Sequence, residues 1–249
     1  MSKPATNEFF DINKLSQGWG IIVFPISISR ISNSQNPESC LRYIRNFSPD
    51  KVQAPKIGAN FVYGDYLYLY SDKKAADLKD KFMHLITAHK NALQGLIAKN
   101  HQDFQIQHGF SYETWNQMYL GINDFPDRLR NLQELYKEDE LFQRYIKEDA
   151  NHFDLTLDNN QVNFFLEEYL LQYLVLKKKI RHRNDYVQDR ERWVLWAYPG
   201  VPPKALVYLL QLNPFNLETD NPYGMAEYNL ENNTLYEFDR LDLETWNYE

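Results

Sequence analysis

Four serines, Ser27, Ser29, Ser32 and Ser34, fall within eight residues of one another, directly after the apolar run Ile21-Ile22-Val23-Phe24. A serine hydroxyl becomes a useful nucleophile when a neighbour accepts its hydrogen bond or an oxyanion site receives the developing charge. The run before the serines has the β-branched emphasis of a strand buried on both faces of a parallel sheet. That puts the serines at or just past its carboxyl end, the edge at which open α/β sheets bind ligands. Two readings are open at this point: one hydroxyl is a nucleophile, or all four satisfy backbone groups in a loop. The loop reading has its own support, because Asn36-Pro37-Glu38 reads as an N-cap, a proline at the first helical position and a first-turn acid. Neither GxGxxG, GxxxxGK[ST] nor GxSxG surrounds Ser27.

Two later segments carry further candidates. In "FFLEEYLLQYLVLKKK", Tyr169, Tyr173 and Lys177 recur every four residues and so share one face of a helix. For the two tyrosines alone, core packing is the simplest account. In "WVLWAYPGVPP" a buried strand ends at Tyr198-Pro199. If the sheet is parallel, Tyr198 lies on the same carboxyl edge as Ser27.

Among the elements that must position these residues, the sequence predicts a strand at about 19–27, a helix at about 37–47 and an aromatic, alternating strand at Asn60–Tyr70. A long helix opens at Ser71 or Asp72. A third strand is expected over "DFQIQHGF" and a short helix over "SYETWNQMYL", followed by helical patterns at about 126–150 and about 160–179. The strand "RWVLWAYP" and a helix from Pro202-Pro203 to Leu212 complete the series. Alternation of this kind predicts an α/β, Rossmann-like fold, with a mostly parallel sheet and helices on both faces. Residues 1–213 read as one such domain, and 214–249 as an acidic, aromatic C-terminal extension packed on it.

Net charge is −7, but nine acids against Arg240 put −8 on residues 214–249 and leave +1 on residues 1–213. A near-neutral body with basic clusters can still hold nucleic acid. Lys177–Arg183 contains five Lys/Arg and a histidine, and the long helix carries Lys73, Lys74, Lys79, Lys81, Lys90 and Lys99 among Asp72, Asp77 and Asp80. Either is a solvated face or a set of phosphate contacts on charge alone. The single cysteine, Cys40, permits no internal disulfide, and six scattered histidines form no zinc pattern. With no signal peptide and no run of eighteen apolar residues, the expectation is a cytoplasmic protein without a membrane partner.

Taken in order, these motifs resemble the tRNA-dependent cyclodipeptide synthases. In that family a first strand runs into a nucleophilic serine, then come a long basic helix, a helix bearing Tyr-x-x-x-Glu, and a strand ending in tyrosine. Here "FPIS" supplies Ser27, with Arg30 where one subfamily has asparagine, and "AYP" supplies Tyr198 and Pro199, the mark of the Tyr-Pro subfamily. "YKEDELFQRYIKEDANHF" is similar to the acidic helix before the Tyr-x-x-x-Glu helix, so the resemblance spans about 20–210. It implies the architecture of the class I aminoacyl-tRNA synthetase catalytic domain, no cofactor or metal, and two aminoacyl-tRNAs used in succession to give a diketopiperazine. Ser27 would carry the acyl ester and Tyr198 would assist it. Tyr169 or Tyr173 would orient the ammonium. Val23, Pro25, Arg30, Trp196 and Pro199 would border the substrate, and Lys79, Lys81, Lys90, Lys177, Lys178, Lys179, Arg181 and Arg183 would hold the tRNA. One departure stands out. Four residues after Tyr169 comes Tyr173, and four after that Lys177, so the family's glutamate has no counterpart, while Glu167 and Glu168 come one turn too early. A substrate of different charge, or an acid reaching in from elsewhere, would compensate. The alternatives are a divergent aminoacyl-tRNA-dependent acyltransferase with a non-cyclic product, and a non-catalytic tRNA-binding module.

Overall fold

The computed structural model describes residues 19–45, 56–64, 75–100, 109–177 and 191–248. β1 (Trp19–Ile26) is apolar on both sides: Ile22, Phe24 and Ile26 enter one buried cluster, Ile21 and Val23 the other. Such a strand is stable only at the centre of a sheet that helices cover on both faces. β2 (Lys56–Tyr63) and β4 (Glu191–Tyr198) flank it, each parallel to it. β3 (Phe110–Thr114) extends the β2 side and β5 (Ala226–Asn229) the β4 side, again in parallel, while β6 (Thr234–Glu237) closes the far edge antiparallel to β5.

The order β3-β2-β1-β4-β5-β6 is that of a mostly parallel, Rossmann-like sheet. The chain works outward from β1 to β3 and then returns to place β4 on the other side of β1, so strand order reverses between β1 and β4. The crevice beyond the carboxyl ends at such a reversal is the ligand position of this architecture. Those ends are Ile26 and Tyr198.

α1 (Pro37–Arg45) and α2 (Ala75–Lys99) bury Cys40, Tyr43, Ile44, Leu93 and Ile97 against the Ile22/Phe24 face. The opposite face is covered by α3 (Trp115–Leu120), α4 (Phe125–Glu138), α5 (Glu140–His152), α6 (Asn159–Leu176) and α7 (Lys204–Leu212). From Leu170 to Leu176 every residue of α6 is buried, as expected of a helix packed against both the sheet and other helices. No helix among the described residues is long and apolar enough to cross a membrane.

The structure departs from the sequence-based elements at four places. The strand expected over Asn60–Tyr70 begins earlier, at Lys56, and its described part ends at Tyr63, while 65–70 lie outside the described residues. The third strand occupies Phe110–Thr114, of which 111–114 were expected to be helical, because these residues pair in parallel with Ala59–Tyr63; 103–108, most of the predicted strand, lie outside the described residues. The pattern at 126–150 divides in two. Asp139 takes an extended conformation, ends α4, and caps α5 by accepting from the Leu141 and Phe142 N–H groups. Finally, 226–237 are two strands of the main sheet, which an acidic, polar composition concealed.

Gly20 shows how tightly β1 and β4 pack within the sheet: a Cβ there would fall inside the Trp193 indole of the neighbouring strand. Gly20→Ala should therefore lower the midpoint of chemical denaturation by the equivalent of about 1–3 kcal/mol with an unchanged slope. A wild-type midpoint would contradict this packing.

Candidate active site

β1 delivers the chain to the switch point, and a single glutamine fixes the turn beyond it. Buried Gln35 accepts from the Ser27 N–H (2.8 Å) and donates through Nε2 to the Pro25 carbonyl (2.6 Å), clamping the backbone on both sides of Ile26. Ser27 is extended and leads into a tight turn at Ile28–Arg30. Its Oγ lies 2.9 Å from the Ser29 Oγ, with either hydroxyl able to donate. Ser27 and Ser29 both border a cavity of about 460 Å³, together with Pro25 and Arg30. The other two serines do loop work: Ser34 N–H donates to Asn33 Oδ1 and its carbonyl accepts from Tyr43, while Ser32 is exposed. The choice left open by the sequence thus divides between the first pair and the second.

Arg30 ties this turn to the end of β4. Its Nη1 donates to the Pro199 carbonyl (2.8 Å), and its guanidinium sits 5.3 Å from the centre of the Tyr198 ring. Tyr198 and Trp196 line the cavity, and Trp196 packs on Trp115, another lining residue. Val23 does not: it is wholly buried in the core beneath. Pro199 contributes its carbonyl to Arg30 rather than a side chain to the cavity.

The facing wall is α6. Asp158 caps it by accepting from the Gln161 N–H, and Gln161, Phe165, Glu168 and Gln172 then follow at helical spacing along the cavity side. Tyr169 also borders the cavity, but its hydroxyl donates to Asp149 (2.9 Å). Tyr173 does not reach the cavity. It bonds Asn213 and stacks edge-on with Phe215 in the core, one helical turn further along α6 than Tyr169 and past the cavity's lining. The polar groups that α6 does turn into the cavity include Glu168, four residues after the lining Phe164, and Gln172, four residues further on. Gln172 Nε2 donates to Glu227 Oε2 (2.7 Å), a carboxylate from β5 that is 1% exposed and whose Oε1 has no hydrogen-bond partner. Burial pushes Glu227 up to about 8. Burial, with the Asp149 charge adding to it and the Arg30 charge opposing it, pushes Glu168 up to about 7.

Glu168 was passed over in the sequence as one turn too early, and Glu227 and Gln35 carried no motif. No local signal marks Glu227: only the β5 register sets it beside Trp196, in a cross-strand row that also holds Val23 and the polar Asn60.

Of the proposed tRNA contacts, Lys81 is exposed on α2, while Lys90 is half-buried with its ammonium 5.4 Å from the centre of the Tyr112 ring. The Lys79 side chain and residues Lys178, Lys179, Arg181 and Arg183 lie outside the described part of the structure. Lys177 is not placed for a phosphate. It is buried, its ammonium over the Tyr173 ring and 3.9 Å from Met225 Sδ, and burial lowers its pKa.

The sequence matches no protein-family model and no curated protein. Solved structures are similar in three dimensions. A cyclodipeptide synthase from Fluoribacter dumoffii is 14% identical over 82% of this chain and 88% of its own, with a TM-score of 0.52. One from Staphylococcus haemolyticus is 13% identical over 84% of this chain and 88% of its own, also at 0.52. At such identities the likeness establishes architecture: the chain has the fold of the cyclodipeptide synthases.

Proposed function

We propose that this protein is an aminoacyltransferase that takes its acyl groups from aminoacyl-tRNA and joins two of them into a cyclic dipeptide, with Ser27 as the acyl carrier. The observation that carries the reading is the convergence of Ser27 and Tyr198 at the switch-point edge of one cavity whose opposite wall holds Glu168. That convergence occurs on a fold shared with cyclodipeptide synthases.

The chemistry needs no external activation, because the aminoacyl ester is already a good acyl donor. Ser27 Oγ attacks the ester carbonyl and its proton leaves by way of the Ser29 hydroxyl, 2.9 Å away. The bond to the tRNA 3′-terminal ribose oxygen breaks, and that oxygen departs protonated. The α-ammonium of the serine-bound residue gives one proton to Glu168, and the resulting amine attacks the ester carbonyl of a second aminoacyl-tRNA. The ester C–O bond breaks, and the ribose oxygen leaves with the proton the attacking nitrogen sheds. The new terminal amine closes on the Ser27 ester and regenerates the hydroxyl. Splitting the transfer through a covalent ester is nucleophilic catalysis. Tyr198, steadied by Arg30, donates to the developing oxyanion. Glu168 takes the part of the missing glutamate and holds the α-ammonium of the bound residue. Exposed lysines of α2, Lys81 among them, hold tRNA phosphates.

Incubation with a mixture of charged tRNAs, followed by mass analysis of the small-molecule products, should yield a diketopiperazine with wild type and none with Ser27→Ala. Equal yield from the variant would remove Ser27 from the mechanism, and a linear dipeptide or amide would assign the non-cyclic branch. The acid dependence follows from Glu168. Its carboxyl is neutral below about 7 and cannot hold an ammonium, so single-turnover acylation should rise with pH through that value. In Glu168→Gln this acid limb should vanish and the rate should be low throughout; a limb that persists in the variant belongs to another group.

A further inference from the structure

We propose that the cavity selects an aminoacyl group whose side chain is itself cationic, an ammonium or guanidinium, and that Glu227 is the residue that recognises it. The proposal rests on the aminoacyl-tRNA reading above, in which Glu168 is already occupied by the α-ammonium.

Glu227 stands in the cross-strand row Val23–Trp196–Glu227, two residues from the Tyr198–Asn229 pair at the edge. At about 3.3 Å per residue it begins roughly 7 Å below the Tyr198 level. It therefore sits at the depth reached by a side chain, not by the ester. One of its oxygens receives Gln172 and the other receives nothing, although the residue is 1% exposed. A buried acceptor left unmet is costly, and native proteins seldom retain one without a use.

The surrounding charges point the same way. The cavity is bordered by Asp158, Glu168 and Glu227 against Arg30 alone, and Arg30 is held at the edge by Pro199 and Tyr198. Among the described residues no lysine or histidine borders it. One α-ammonium can neutralise Glu168, which leaves Glu227 uncompensated below. Phe164, Phe165 and Trp196 line the space between. Aromatic walls suit both the methylene stem of a basic side chain and its charged head. An aliphatic acyl side chain would cover Glu227 with apolar atoms and leave its free oxygen unmet, whereas a cationic one supplies the missing donor. The desolvation that pushes Glu227 up is the penalty such a ligand would relieve.

The test separates the side-chain charge from the α-ammonium. L-Lysinamide, L-argininamide and L-norleucinamide all carry the α-ammonium, and norleucinamide closely matches the lysine stem without its charge. Calorimetric titration of wild type should show the tighter basic amide binding at least about ten-fold better than norleucinamide. Glu227→Gln preserves the shape and the acceptor for Gln172, and thermal melting checks that it folds. It should abolish the preference by weakening the basic amide and leave norleucinamide unchanged or tighter. Glu168→Gln, by contrast, should weaken all three amides together. Equal affinities, no binding by any amide, or a preference that survives Glu227→Gln would overturn the proposal. The product assay above distinguishes its failure from that of the reading beneath it. Diketopiperazines built only from neutral residues would sink the cation site and leave the synthase standing. Tight, Glu227-dependent binding of a basic amide without any tRNA-derived product would do the reverse.

Discussion

Asp149 is a fully buried carboxylate that receives four hydrogen bonds from three separate parts of the cavity's backing. Tyr169 donates to it from α6, the Lys204 and Ala205 N–H groups donate from the start of α7, and Tyr248 donates from the end of the described chain. A buried charge is tolerated only when its desolvation is offset by donors in good geometry, so each donor is held by the cost of losing it. Burial raises its pKa to about 6, and the donors keep it ionised at neutral pH. One side chain thereby fixes the position of α6 relative to α5 and α7. It also draws the C-terminal segment over them, with Tyr248 stacked on His152 and lying beneath the Lys204 ammonium.

That constraint explains how a helix can present polar groups to a cavity while the rest of it is core. With Tyr169 tied back to Asp149, the rotation of α6 is set. Glu168 and Gln172 then face the sheet edge, and Tyr173 turns into the apolar interior. On the opposite wall, Gln35 and Arg30 perform the corresponding task with neutral and cationic hydrogen bonds, pinning the serine turn to β1 and β4. The cavity is therefore framed by stiff elements on both sides, while its interior holds carboxyl groups whose burial raises their pKa values.

The parts legible in the sequence were those whose chemistry is local. β1 and β4 are long apolar runs, α6 has helical spacing and an Asp158 cap, and the positions of Ser27 and Tyr198 at strand ends follow from a parallel sheet. The features that stayed hidden depended on distant partners. Asp149 is adjacent to Glu148 in an acidic helix, and only the packing of α6, α7 and the chain end separates the buried acid from its more exposed neighbour. β5 and β6 are four residues each, too short and too polar to signal burial until β4 supplies a partner. For that reason Glu227, in a stretch read as an acidic extension, emerges as part of the cavity. Glu168 was passed over for a different reason: the four-residue spacing was counted from the tyrosines, while Phe164 and Glu168, also four apart, both line the cavity.

The proposed mechanism turns on covalent acylation of Ser27. Intact-protein mass spectrometry after brief mixing with charged tRNAs, quenched in acid to preserve esters, reads this directly. The predicted result is a mass increase of one aminoacyl residue on wild type, removed by mild base and absent from Ser27→Ala. An unmodified wild-type protein under conditions where tRNA is bound would contradict the mechanism and assign the cavity to binding alone.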